Sequence, residues 1–161
     1  MKKILVLGIG SSVGDDQLGW QATSLLAALP ALQPFLSKQL EIQNHVRLGL
    51  HLLQIMQDFS WVFCIDAILT KTSPGEIQRL NMSQLLQSSH HWNTHAIGLT
   101  EIIELGQALA LLPSQIVCYG ITVTEMQYSL KATSLIAMML PEFVNKIAKE
   151  LLAILDFYMI E

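Results

Sequence analysis

No basic run or patch occurs in this sequence: nine lysines and arginines are scattered along 161 residues and outnumbered by thirteen aspartates and glutamates, for a net charge of −4. Binding a phosphate backbone needs concentrated positive charge, so nucleic acid is excluded as a partner. Cysteine is nearly absent too. Cys64 and Cys118 each sit inside an apolar run with no second Cys or His at ligand spacing, which leaves neither a disulfide framework nor a zinc knuckle. Both read as buried packing residues. Their mid-strand placement removes them as nucleophiles, and no serine and histidine stand in a context that would supply another covalent one.

A segment able to span a bilayer is also missing. Hydrophobic residues make up 52% of the chain and mean hydropathy is +0.44. Yet the long apolar charge-free stretches, 17–37 and 105–124, are interrupted by glutamine and proline. The opening "MKKILVLGIG" has the charged start of a secretory signal, but its apolar run stops at six residues and turns into glycines and acids without a small-residue cleavage site. The expectation is a cytoplasmic protein with no membrane contact and an unusually apolar interior. A chain of 161 residues is long enough to bury one core without disulfide or metal staples, so residues 1–161 are expected to form a single domain.

What is present is a rhythm of short apolar runs and helical periodicities. "KILVL" (Lys3 to Leu7) reads as a strand buried on both faces, and apolar residues from Gln17 to Leu29 recur at helical spacing until Pro30 ends them. "LEIQNH" (Leu40 to His45) predicts a second strand, Gly49 to Asp58 a second helix, and "WVFCIDA" (Trp61 to Ala67) a third strand closed by Asp66. After the Pro-Gly turn of "TSPGEIQRLN", alternating residues suggest a shorter, half-exposed antiparallel edge strand, followed by the polar stretch "QSSHHWNTH". A helix over 97–112 closed by Pro113, a buried strand over Gln115 to Val123, and helical pieces from about Ser129 to Phe157 broken at Pro141 complete the chain. Alternating strands and helices imply a single-domain, three-layer α/β/α sandwich, its twisted sheet mostly parallel with one antiparallel strand.

The loop "LGIGSSVGDDQLGW" (Leu7 to Trp20) begins like a dinucleotide fingerprint and fails as one. Counting from Gly8 gives Gly8, Gly10 and then Val13, with the next glycine at position 14. Asn44 stands where a ribose-binding acid belongs, no GK[ST] follows a glycine loop, and Asp15 and Asp16 would repel phosphate from the helix start. No nucleotide is expected.

The carboxylates suggest other chemistry. In an open α/β sheet, residues just after strands 1 and 3 converge on one crevice at the carboxyl ends of the strands, which brings Asp16 and Asp66 together. Two carboxylates there raise each other's pKa, and a divalent cation removes that cost. Two readings stand for each acid: metal ligation, or capping for Asp15 and Asp16 and capping or turn buttressing for Asp66. His90, His91 and His95 lie in the polar stretch ahead of the next helix. One of them would complete a mixed oxygen and nitrogen set for a first-row divalent ion, the alternative being solvated loop histidines. His91 and His95 are four apart, but "HWNTH" lacks the Glu of a zinc-protease helix.

In their order and spacing, "ILVLGIG", "DDQLGW", "IDA" with "SPGEI" shortly after, "THAIGLTEII" and "VCYGITV" resemble the maturation endopeptidases of nickel-iron hydrogenases nearly end to end. The resemblance implies a metal site of Asp16, Asp66 and His95, with Asp15 as a helix-capping or supporting carboxylate and the loop glycines giving the site room. It implies removal of the C-terminal extension of a hydrogenase large-subunit precursor once nickel is inserted. The nickel would be carried by that precursor and read by a monomeric enzyme. A non-catalytic, metal-dependent assembly factor docking on the same subunit is the competing expectation. The sequence departs from that family at "NHVR" (Asn44 to Arg47), where many members carry Asp-Gly-Gly-Thr. His45 is left there as a polar group at the crevice rim or as an exposed loop residue.

Overall fold

Three apolar runs and the alternating segment LEIQNH form the parallel strands of one sheet, and their sequence limits follow from where hydrogen-bonding partners are available. The computed structural model describes residues 4–46, 49–71, 73–87, 91–92, 98–125 and 129–159. In chain order the first half comprises β1 (Ile4–Ile9), α1 (Leu18–Ala28), β2 (Leu40–His45), α2 (Leu50–Met56) and β3 (Trp61–Leu69). The second half comprises β4 (Ile77–Asn81), α3 (Met82–Gln87), β5 (His91–Trp92), α4 (Leu99–Ala108), β6 (Gln115–Val123) and α5 (Ser134–Met159). The sheet order is β2-β1-β3-β6-β4, with β4 antiparallel to β6 at one edge. This is the half-exposed antiparallel edge strand the alternation in "EIQRLN" leads one to expect.

Alternation within the strands divides the interior in two. Ile4, Val6, Phe63, Ile65, Tyr119 and Ile121 face a layer formed by α1 and α5. Leu5, Leu7, Val62, Cys64, Ile116 and Cys118 face α2, α3 and α4. Parallel strands covered on both faces are apolar on both, which is why these runs show no polar alternation. The three-layer α/β/α arrangement and the mostly parallel sheet agree with the sequence expectation.

Four local expectations are corrected. β3 does not end near Asp66 but runs to Leu69, because β6 pairs with it through Val123 and the two-residue β5 pairs with Leu69 and Ile68 beyond the end of β1. Met82–Gln87, between the edge strand and the polar stretch, where the sequence pattern suggests no element, form a helix, α3. Its start is a reciprocal cap in which the Gln84 N–H donates to Asn81 Oδ1 (2.8 Å) and the Asn81 N–H to Gln84 Oε1 (2.9 Å). α4 stops at Ala108 rather than at Pro113, because Ala110 turns left-handed (φ 54°) and the Leu111 N–H closes on the Gly106 carbonyl. Pro141 does not divide the last helix. Pro141 and Ala137, whose carbonyl loses its donor, both lie on the exposed face where water takes the donor's place. The buried stripe of Ile136, Phe143, Val144, Ile147 and Leu151 holds both halves of α5 on the sheet.

α5 is also fastened to the sheet by a polar clamp. Glu150 accepts from Tyr119 on β6 (2.6 Å) and from the guanidinium of Arg79 on β4, with Arg79 Nε at 2.8 Å. Burial opposes the charge on Glu150, and the Arg79 and Tyr119 hydrogen bonds outweigh it and lower its pKa. Because the folded pKa lies below the unfolded one, the clamp stabilises above the unfolded value and is lost as pH falls through the folded one. Glu150→Gln should therefore cost about 1 kcal/mol near neutral pH, a modest figure because Arg79 is partly exposed. The difference from the parent in urea unfolding should shrink as pH falls from about 6 to about 3.

Candidate active site

β1 leads to β2 on one side, and β2 returns across β1 to β3 on the other, so the carboxyl ends of the adjacent strands β1 and β3 border the point where the chain changes direction. Open α/β sheets bind ligands at such a point. Here a single 3₁₀ turn, Gly14–Gln17, leaves β1 and runs directly into α1.

That turn is forced close to the strands. Gly10 has φ 145°, outside the range comfortable for an L side chain, and a Cβ there would overlap the Asp16 carbonyl oxygen. The same carbonyl accepts the Ser11 N–H at 3.1 Å. A Cβ on Gly19, in the first turn of α1, would overlap the Ile9 carbonyl and come within 2.6 Å of the Ile65 carbonyl. Gly10 and Gly19 thus make room for the protein's own helix, which places Asp16 beside β1 and β3.

Asp66 is fully buried on β3. Its Oδ1 accepts the Ala67 N–H at 2.8 Å, while its Oδ2 finds no hydrogen-bond donor among the described residues. Burial and then the nearby charge of Asp16 push its pKa well above the usual carboxylate range, against a smaller opposing effect of the Ala67 N–H. The two aspartates are therefore brought together, as the strand order requires.

Asp15 does different work from its neighbour. It is 3% exposed and turns away toward α5, where Thr133 donates its backbone N–H to Oδ1 (2.7 Å) and its hydroxyl to Oδ2 (3.1 Å). Its capping role is real but belongs to α5 rather than α1. The carboxylate faces the positive end of that helix.

His95 and His90 lie outside the described residues, and for His91 the structure gives the pairing of its backbone in β5. Among the described residues no three His, Cys, Asp or Glu side chains group as a metal site. His45 ends β2, half-buried, with Nε2 2.9 Å from Gln43 Oε1 and its ring 5.6 Å from that of His51. Burial and the proximity of His51 lower its pKa. Its carbonyl accepts the Gly10 N–H at 3.1 Å and the Trp20 indole N–H at 3.4 Å, so the backbone rather than the ring of His45 meets the loop. Cys64 and Cys118 are register partners across β3 and β6, both buried. The Cys118 thiol is pushed up by its hydrogen bond with Cys64 and then by burial, which suppresses the thiolate a nucleophile needs.

A sequence-family model described as hydrogenase maturation protease matches residues 36–150, over two thirds of the chain and including Asp66. The fold resembles that of the hydrogenase maturating endopeptidase HybD from E. coli, with a TM-score of 0.72 and 21% identity over 90% of this chain and 89% of that one. It also resembles a [NiFe] hydrogenase maturation protease, HycI, from Thermococcus kodakarensis, at a TM-score of 0.69 and 20% identity over 92% and 91% of the two chains. A hydrogenase 2 maturation peptidase from a Thaumarchaeota archaeon superposes at 0.66 with 19% identity over 93% and 98%. No curated relative matches the chain by sequence.

Two stability measurements check this geometry. The folded pKa of Asp66 lies above its unfolded value, so between the two the folded state holds an extra proton and stability falls as pH rises. Asp66→Asn removes that loss and places an amide donor in the carboxyl's position. Its melting temperature should exceed the parent's at about pH 7 and approach it at about pH 3. Asp15→Ala should cost about 1–2 kcal/mol in chemical denaturation by leaving Thr133 without its acceptors, and Asp15→Asn distinctly less because one acceptor oxygen remains.

Proposed function

The chain belongs to the hydrogenase maturation protease family and is a peptidase, and on that premise we propose that it removes the C-terminal extension of a nickel-iron hydrogenase large-subunit precursor after nickel has been inserted there. In this reading Asp16, Asp66 and His95 grip the nickel that the precursor carries, and the protein acts as a monomer in the cytoplasm without a nucleotide. Among the described residues no helix is long and apolar enough to cross a membrane.

The observation that carries the reading is the pair Asp16 and Asp66, brought close where the 3₁₀ turn after β1 meets β3 level with the end of β1, with Asp66 fully buried. Such a pair is costly by itself, and a cation relieves the cost by satisfying both charges at once. If that cation arrives as part of the substrate, the relief appears as affinity for the loaded precursor and is withheld from the unloaded one. An imidazole alongside two carboxylates makes a set suited to a first-row divalent ion and open to further ligands from the substrate. His95 supports this by its position in the sequence. Trp92 pairs with Ile68, two residues beyond Asp66, and His95 follows it by three residues, a reach of about 10 Å. Holding the nickel fixes the chain that surrounds it, so the scissile bond is presented to the crevice in a constant position.

Incubating purified protein with nickel-loaded and nickel-free precursor and following the mass of the large subunit tests the proposal. The loaded form should be shortened and the unloaded form left intact. Asp16→Asn, Asp66→Asn and His95→Ala should each slow shortening about a hundredfold or more while circular dichroism stays that of the parent. Metal-stripped protein that is inactive on loaded precursor until zinc is added would move the metal from substrate to enzyme and overturn the recognition mechanism.

A further inference from the structure

Beside the carboxylates, a groove of about 380 Å³ runs between α1 and α5. Ser11, Ser12 and Gln17 close one end, and Trp20, Leu25 and Leu140 form its apolar walls. Among the described residues no charged side chain lines it. The end of the groove belongs to the same β1-to-α1 loop that carries Asp16, so a chain lying across Asp16 meets the groove as it leaves the crevice. Leu25, on the groove's solvent side, is 44% exposed. Gln17 at the closed end is held by its Nε2, which donates to the Leu130 carbonyl at 3.0 Å.

We propose that this groove receives the stretch of the large-subunit precursor adjoining the scissile bond, as an extended, uncharged segment whose apolar side chains pack on Trp20, Leu25 and Leu140. The inference rests on the protease reading and adds to it the surface that selects the substrate. Three observations fix the occupant. The groove continues from the loop that carries Asp16, so a chain engaged at Asp16 has it as the adjoining surface. Its lining offers hydroxyl and amide groups for a peptide backbone but no counter-charge, so an ionised side chain buried there would lose its hydration without compensation. Its volume is that of a small-ligand cleft, which fits a short extended stretch and excludes a folded domain. The exposed part of Leu25 is then surface that becomes covered when the substrate arrives.

The experiment measures both binding and cutting of nickel-loaded precursor by the parent, by Leu25→Glu, by the conservative Leu25→Met, and by Leu109→Glu, which places the same charge at an exposed leucine near the end of α4. Leu25 lies on the exposed side of α1, so the charge should leave folding intact. Leu25→Glu should raise both Kd, from the anisotropy of labelled precursor, and KM about tenfold with kcat close to the parent's, while Leu25→Met and Leu109→Glu behave as the parent. Parental Kd and KM in Leu25→Glu would overturn the groove and leave the protease reading standing. A parent that binds precursor in a Leu25-dependent way without shortening it would keep the groove and overturn the protease reading. A parent that binds no precursor would overturn both. A dimer in sedimentation that Leu25→Glu dissociates would assign the groove to a second copy of the chain and overturn the proposal.

Discussion

Contact between backbone and backbone, with no side chain intervening, is what the rest of this molecule depends on. The first turn of α1 lies directly on the carboxyl ends of β1 and β3, where Gly19 meets the carbonyls of Ile9 and Ile65 and Gly10 meets the carbonyl of Asp16. Any Cβ at these points would lift the helix by the thickness of a methyl group and move Asp16 off the strand ends. The closeness also explains why so short a connection suffices: four residues of 3₁₀ turn carry the chain from the loop after β1 into the helix. Glycines in a strand-to-helix loop usually suggest a bound phosphate, whereas here they serve a helix whose own acids occupy that position.

The price of the arrangement is the carboxylate pair. Asp66 sits in a strand whose neighbours on both faces are apolar, and its Oδ2 has no donor among the described residues. A protein selected only for stability would place a hydrophobic residue there. A buried carboxylate of this kind inside a strand, level with the end of its neighbour, marks a position whose electrostatics are completed by something other than the fold. For a peptidase whose proposed substrate brings its own cation, an incomplete site is an advantage. A fully satisfied pair would gain nothing from the loaded precursor and could not distinguish it from the unloaded one.

Much of this was legible in the sequence, and the failures share a cause. β2 and β6 fall on the residues expected: β2 alternates apolar and polar residues as an edge strand does, and β6 is a continuous apolar run. The convergence of Asp16 and Asp66 followed from strand alternation and needed no side-chain detail. β3 passes Ala67 because the apolar run itself continues through Ile68 and Leu69, which β6 pairs on one side and the two-residue β5 on the other. α3 is too short to show a helical period, yet Asn81 and Gln84 at capping-box spacing were there to be read. Pro141 misled because its local cost is offset by packing on both sides of it. The duty of Asp15 lay beyond sequence reasoning, since its partner Thr133 is 118 residues away along the chain.

Asp15 and Asp16 show how adjacent identical residues come to serve different ends. In a 3₁₀ turn successive side chains point about 120° apart, so one carboxylate of the pair can face β3 only if the other faces elsewhere. The second direction leads to the N-terminus of α5, where the positive end of the helix dipole and the Thr133 donors receive it. The consequence reaches past capping. The groove beside the site has one wall on α1 and the other on α5, and Asp15 is the group that ties the start of α5 to the loop from which α1 departs. The separation of the groove walls is thereby set within one residue of the carboxylate that faces Asp66. A single turn of chain thus holds in register the place where a cation would be gripped and the place where the attached polypeptide would lie.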